Sequence, residues 1–131
     1  MNQHQKELAL YRLSRAHETI EDARLLLEQG RLPAAANRIY YAMFYAATAV
    51  LITKGLSSSR HTGIISLFHR EFVKTCLFPA DLAQFIDVAF DERLESDYGD
   101  YVRPERIELE RLLVSAGQFV AKAEELVQAA D

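Results

Sequence analysis

The chain has 131 residues, half of them hydrophobic, with 15 lysines and arginines against 19 aspartates and glutamates and a net charge of -4 at pH 7. That length suits one domain spanning 1–131, burying roughly two thirds of the surface its unfolded form exposes. The acidic balance argues against a protein that coats nucleic acid through bulk electrostatics and leaves only a local basic cleft for such a role.

Residues 1–7 lack the charged-then-apolar order of a signal peptide, and the lone Cys76 can form neither an internal disulfide nor a thiolate cluster, so a cytoplasmic location is expected. Ala9, Leu13, Ala16, Ile20, Ala23 and Leu27 alternate steps of four and three residues, with Arg12, Arg15, Glu18, Glu21, Asp22 and Glu28 off that line. This predicts an amphipathic first helix. Gly30 supplies a left-handed stop, and Pro33 fits the first turn of the next helix, where its missing N–H would have had no partner. The second helix is predicted over 33–54, apolar nearly all round and therefore central in a bundle, with Gly55 at its end. Its longest apolar run, 39–52, holds three tyrosines and a threonine and falls short of the roughly 20 residues a membrane helix requires, so no membrane span is expected.

Ser57, Ser58 and Ser59 offer an N-cap to a third helix on the line Ile64, Ile65, Phe68, Phe72 and Val73, ending near Thr75. Pro79 opens a fourth, patterned by Leu82, Phe85, Ile86, Ala89, Phe90 and Leu94 and predicted to stop near Glu95, which leaves an irregular loop over 96–103. Pro104 opens a fifth on Leu109, Leu113, Ala116, Val120, Ala123 and Val127. The first and fifth seams both alternate larger residues with alanine, so these helices are expected to pack together. Gly117 is read as permitting their close approach at a propensity cost of about 1 kcal/mol. With no period-two segment, glycine-rich phosphate loop or long repeat, the expected fold is all-α, an up-and-down bundle of four to five helices.

Polar chemistry concentrates at 93–101, Arg-Leu-Glu-Ser-Asp-Tyr-Gly-Asp-Tyr. Arg93 falls four residues after Ala89 and seven after Ile86, at the edge of the apolar stripe. It either snorkels to water and complements the negative helix end or builds an anion site. On the second helix Asn37, Tyr41, Tyr45 and Thr48 follow one stripe with Arg38 beside it. Those tyrosines either bury their rings and bond their hydroxyls within a core, or wall a binding cleft. At the start of the third helix, Ser59-Arg60-His61 offers free N–H groups and a positive helix end to phosphate, with Arg70 and Lys74 further along, against the plainer reading of a solvated face. No helix carries the Glu-x-x-His pair of a di-iron bundle, and His4, His17, His61 and His69 are not spaced as a ligand set, so neither metal nor cofactor is expected. Cys76, among Val73, Leu77 and Phe78, is read as a small core residue.

Three segments, Asn-Arg-Ile-Tyr-Tyr-Ala-Met-Phe-Tyr-Ala at 37–46, Gly-Leu-Ser-Ser-Ser-Arg-His at 55–61 and the run 93–101, together resemble the HEPN (higher eukaryotes and prokaryotes nucleotide-binding) domain over almost the whole chain. Within it the chain is most similar to the small stand-alone bacterial and archaeal proteins. The resemblance implies a four- or five-helix bundle that forms a homodimer with a cleft between the copies. Many members are metal-independent ribonucleases, often toxins neutralised by a minimal nucleotidyltransferase. Their signature is an arginine, four to six residues, then a histidine.

Arg93 matches, but the three positions where the histidine is expected hold Tyr98, Gly99 and Asp100, so the signature is incomplete. Cleavage through the ribose 2'-hydroxyl needs a group that exchanges a proton near neutral pH and a cation on the phosphoryl oxygens. A tyrosine phenol, which ordinarily titrates near pH 10, replaces an imidazole poorly. Carried over, the resemblance implies Arg93 on phosphate, Tyr98 or His61 in proton transfer and Asp97 or Asp100 orienting the partner group. Arg38, Tyr41, Tyr45, Arg60, Asp97 and Tyr101 are then contacts to RNA or nucleotide. Some family toxins are adenylylated on a tyrosine near the signature, for which Tyr98 and Tyr101 are the nearest candidates here. Three functions follow as expectations: RNA or nucleotide binding beside a nucleotidyltransferase partner, metal-independent RNA cleavage, or a dimerisation module whose loop charges pair only with each other.

Overall fold

The computed structural model describes residues 1–100 and 103–130. Five α-helices run α1 (Gln3–Glu28), α2 (Leu32–Ile52), α3 (His61–Phe68), α4 (Ala80–Tyr98) and α5 (Arg106–Ala129), and there is no strand among the described residues. The fold is all-α. Helix α2 is the central element, packed against α1, α3, α4 and α5, because its apolar residues go nearly all round: from Ala35 to Leu51 most side chains are buried.

Local chemistry fixes the helix ends. Asn2 caps α1 by accepting from the Gln5 N–H at 2.8 Å while the Gln5 side chain accepts from the Asn2 N–H at 3.0 Å. The other end closes at Gly30, whose φ of 73° lets the Gly30 and Arg31 N–H groups reach back to the carbonyls of Leu27 and Leu26. Gly55, at φ 69°, closes α2 in the same way onto Ile52 and Leu51.

The first helix buries the six residues its spacing predicts, together with Thr19. Helix α5 packs on it, with His17 Nε2 lying 2.6 Å from Glu124 Oε2. The buried stripe of α5 departs from the four-three line: Leu113 is only half-buried, while Leu112 and Phe119 are buried. Phe119 is fully buried against Phe78, at 4.7 Å between ring centroids, and Phe68, at 5.4 Å.

Several expectations are corrected. The third helix is not capped by a serine side chain on its own first turn. Its N-cap residue is Arg60, and after Phe68 it loosens into a π-helical turn, His69–Val73, in which the Lys74 N–H bonds to the His69 carbonyl. Cys76 is not in the core: it is exposed and takes φ 62° in the turn that brings Phe78 inward. Helix α4 does not stop near Glu95 but continues to Tyr98, so 96–98 are helical and not loop. Gly117 is not a point of close approach, since a Cβ built there would meet nothing within 4 Å. Its propensity cost is therefore uncompensated, and Gly117→Ala is expected to raise stability by about 1 kcal/mol, read as a higher midpoint in thermal unfolding. No helix among the described residues is long and apolar enough to cross a membrane.

Candidate functional site

Arg93 takes the next position on the buried stripe of α4 after Ile86 and Ala89, and this turns its side chain toward α2. The half-buried guanidinium lies 5.2 Å from the ring of Tyr40, 5.7 Å from that of Tyr41 and 5.6 Å from that of Phe90, one turn earlier on its own helix. One nitrogen, Nη1, donates to the Tyr41 hydroxyl at 3.1 Å. Its Nε is buried without a hydrogen-bond partner. An arginine held by ring faces and a phenol, and not by a carboxylate, keeps its full charge available to an incoming anion.

His61 opens α3 directly beside this group. Its ring stacks on Phe44 at 4.3 Å and meets Tyr41 at 5.5 Å and Tyr40 at 5.9 Å, and its Nδ1 lies 3.3 Å from the hydroxyl of the fully buried Tyr40. Burial, and then the positive charge of Arg93, push the imidazole below its ordinary pKa, so it is neutral at neutral pH. Burial also pushes the Tyr40 phenol upward, against the pull of Arg93, and it keeps its proton.

The cationic edge extends in both directions. Arg38 lies over the Tyr41 ring at 4.9 Å and donates through Nε and Nη2 to the Asn37 side-chain oxygen, while Asn37 Nδ2 donates to Asp97 at 3.2 Å. On the other side Arg15 of α1 lies 5.1 Å over the Tyr45 ring and donates to its hydroxyl at 3.4 Å, and the rings of Tyr41 and Tyr45 are 5.9 Å apart. Arg12 lines a groove of about 290 Å³ with Phe44, Thr48, His61 and Ser57 to Ser59. The ion pairs seen among the described residues, such as Arg24–Glu21 and Arg106–Glu110, lie elsewhere and include none of Arg12, Arg15, Arg38 or Arg93.

The sequence-derived candidates thus divide. Arg93, His61, Arg38, Tyr41 and Tyr45 come together, and Asp97 joins them through Asn37 without touching Arg93. Tyr98 does not: five residues beyond Arg93 on a continuous helix it is turned well round the axis, and it is 75% exposed at the end of α4. It is turned away from the Arg93 of its own chain. Asp100 is exposed after the helix end, and Arg60 is exposed, its backbone N–H bonded to Ser58 Oγ and its carbonyl to the Ile64 N–H. Tyr101 lies outside the described residues. Sequence reasoning missed Tyr40, Phe44, Arg12 and Arg15. The i,i+4 pair Tyr40 and Phe44 was a usable signal for a second aromatic face on α2; the two arginines gave none, because they occupy what reads as the solvated side of an amphipathic helix.

Comparison with known proteins identifies a family. The family model described as HEPN domain matches residues 9–126. A protein of Thermotoga maritima named "UPF0332 protein" is 41% identical over 128 residues, covering 98% of this chain and 96% of the relative. Two proteins of Methanocaldococcus jannaschii, each named "Putative toxin", are 31% identical over 110 and 105 residues. These cover 84% and 80% of this chain and 75% and 78% of the relatives.

Proposed function

The chain belongs to the HEPN domain family, and from that premise we propose that it binds RNA or a nucleotide through phosphate at the edge built around Arg93. The observation that carries the reading is the Arg93 guanidinium itself: half-buried, fixed by Tyr41 and three ring faces, unpaired with any carboxylate among the described residues, and with Nε unused. Around it Arg38, Arg15 and Arg12 supply further charge, and the guanidinium planes of Arg38 and Arg15, laid over Tyr41 and Tyr45, supply surfaces on which unpaired bases stack. A protein of net charge -4 that concentrates arginines on one aromatic edge is built for a local polyanion contact.

The same edge is the surface on which two copies form a homodimer, with the paired edges enclosing the bound strand. The toxin names of two relatives support a role as one component of a toxin–antitoxin-like pair; that the other component is a minimal nucleotidyltransferase is part of this proposal and rests on the family resemblance alone. Tyr98, 75% exposed at the end of α4, is an accessible tyrosine of the signature segment for such a partner to modify.

Fluorescence anisotropy of a labelled single-stranded RNA, titrated with protein in EDTA, tests the binding. Saturable binding is expected, weakening roughly tenfold or more between 50 and 200 mM salt as about three phosphates release their counterions. Absence of binding across several RNA sequences overturns the reading. The alternative function, metal-independent cleavage, is decided in the same samples by whether the RNA is shortened.

A further inference from the structure

We propose that the Tyr40 hydroxyl holds His61 as its Nε2–H tautomer, so that the ring presents a hydrogen-bond donor, and not a proton acceptor, to the phosphate oxygen bound beside Arg93. The proposal deepens the phosphate-binding reading and rests on it for its ligand. The tautomer itself is a property of the free protein.

The geometry leaves two arrangements. Either the Tyr40 O–H donates to Nδ1, or an Nδ1–H donates to the Tyr40 oxygen. Tyr40 is fully buried, and its contact with Nδ1 is the one hydrogen bond of that hydroxyl among the described residues. In the second arrangement the phenolic proton is stranded in the core with no acceptor, a penalty that favours the first arrangement by about tenfold or more. With Nδ1 accepting, a neutral ring carries its proton on Nε2.

The surroundings hold the ring in that state. Arg93 is the charged group facing it, and a second positive charge on the imidazole is disfavoured there. Tyr40 and Tyr41 are the other titratable groups against it, while the Phe44 ring at 4.3 Å fixes its plane. His61 lines the groove that Arg12 and Ser57 to Ser59 also line, and with Nδ1 engaged by Tyr40 its Nε2 is the nitrogen left for a ligand.

The chemical consequence concerns what the site does with RNA. A neutral imidazole whose acceptor nitrogen is occupied can bond a phosphoryl oxygen next to the guanidinium but cannot take a proton from a ribose 2'-hydroxyl. Tyr40 is thus a positioning residue that makes the pair Arg93 and His61 a two-donor phosphate clamp. The expected proton-transfer role of His61 is replaced by one of holding the strand.

Long-range proton–nitrogen spectra of uniformly nitrogen-15-labelled protein near pH 7.5 test this. A protonated Nε2 and an unprotonated Nδ1 on His61 are expected in the wild type, and a mixture of tautomers in Tyr40→Phe. An Nδ1–H tautomer in the wild type, or an unchanged ring in Tyr40→Phe, overturns the proposal. Should that variant fail to fold, the wild-type spectrum still decides. Addition of inorganic phosphate separates the two readings. Failure of the His61 ring to respond while showing the expected tautomer counts against the phosphate site alone, whereas a responding ring in the Nδ1–H form counts against the Tyr40 lock alone.

Discussion

Arg93→Ala is expected to bind single-stranded RNA about 10- to 100-fold more weakly than the wild type, with its helix content unchanged and its thermal midpoint lowered by only a few degrees. The affinity loss follows from hydrogen bonds to a charged group, worth about 1.5–3 kcal/mol. The small stability loss follows from what the side chain touches. Three ring faces and one phenol hold it. Its removal leaves no unpaired carboxylate behind, and the Tyr41 hydroxyl, on a half-buried residue, can turn to water. Anisotropy titrations and thermal unfolding of the same samples separate the effects. Unfolding of Arg93→Ala would instead make the residue a scaffold element, as the dimerisation-module reading requires. Arg93→Lys should fall between, since an ammonium keeps the charge but loses the planar fork that meets phosphate with two parallel bonds.

Phe119→Ala is expected to cost about 3–5 kcal/mol, a loss far larger than that of Arg93→Ala. The ring has no exposed surface and closes the cluster with Phe68 and Phe78 at the point where α5 meets the end of α3 and the turn leading into α4. Truncation leaves a ring-sized cavity between elements that cannot collapse without moving the π-helical turn. Against a total stability of about 5–15 kcal/mol for a domain of this kind, the thermal midpoint should drop by roughly 10 °C or more. A near-wild-type midpoint would mean that this junction contributes little to the core.

Most of the scaffold is legible in the sequence because it is written in periodicity. The α1 stripe from Ala9 to Leu27, the apolar girth of α2 and the stops at Gly30 and Gly55 all follow from local rules that packing does not override. What escapes depends on the third dimension. A strict four-three line on α5 leaves out the fully buried Phe119 and picks Leu113 where Leu112 is the buried one. Gly117 looks like an accommodation to a neighbouring helix and faces open space. The apolar neighbours of Cys76 point it to the core, yet the chain turns there with a positive φ and leaves it outside.

The site is legible in its centre and not at its margins. The spacing of Arg93 from Ile86 and Ala89 puts it at the edge of the apolar stripe without deciding between water and the interior, and the fold turns it inward onto Tyr41; the tyrosine stripe of α2 is readable from its spacing. Apolar periodicity ends α4 three residues too early, and that makes Tyr98 look like a loop residue beside the arginine when it sits on another face of the same helix. The pairing of His61 with Tyr40 joins residues 21 apart in sequence, and the contact of Arg15 with Tyr45 joins residues 30 apart. Such contacts exist only once α1, α2 and α3 are assembled, and no pattern within any one helix announces them.

The central claim, that the aromatic arginine edge holds nucleic-acid phosphate, is tested most directly by following proton–nitrogen correlation spectra while a short single-stranded RNA is added. The largest shifts are expected at the Arg93 side-chain Nε–H, the His61 ring and the backbone amides around Tyr41, moving together along one saturation curve. Shifts confined to another face of the bundle, or saturation that leaves the Arg93 signal in place, would contradict it.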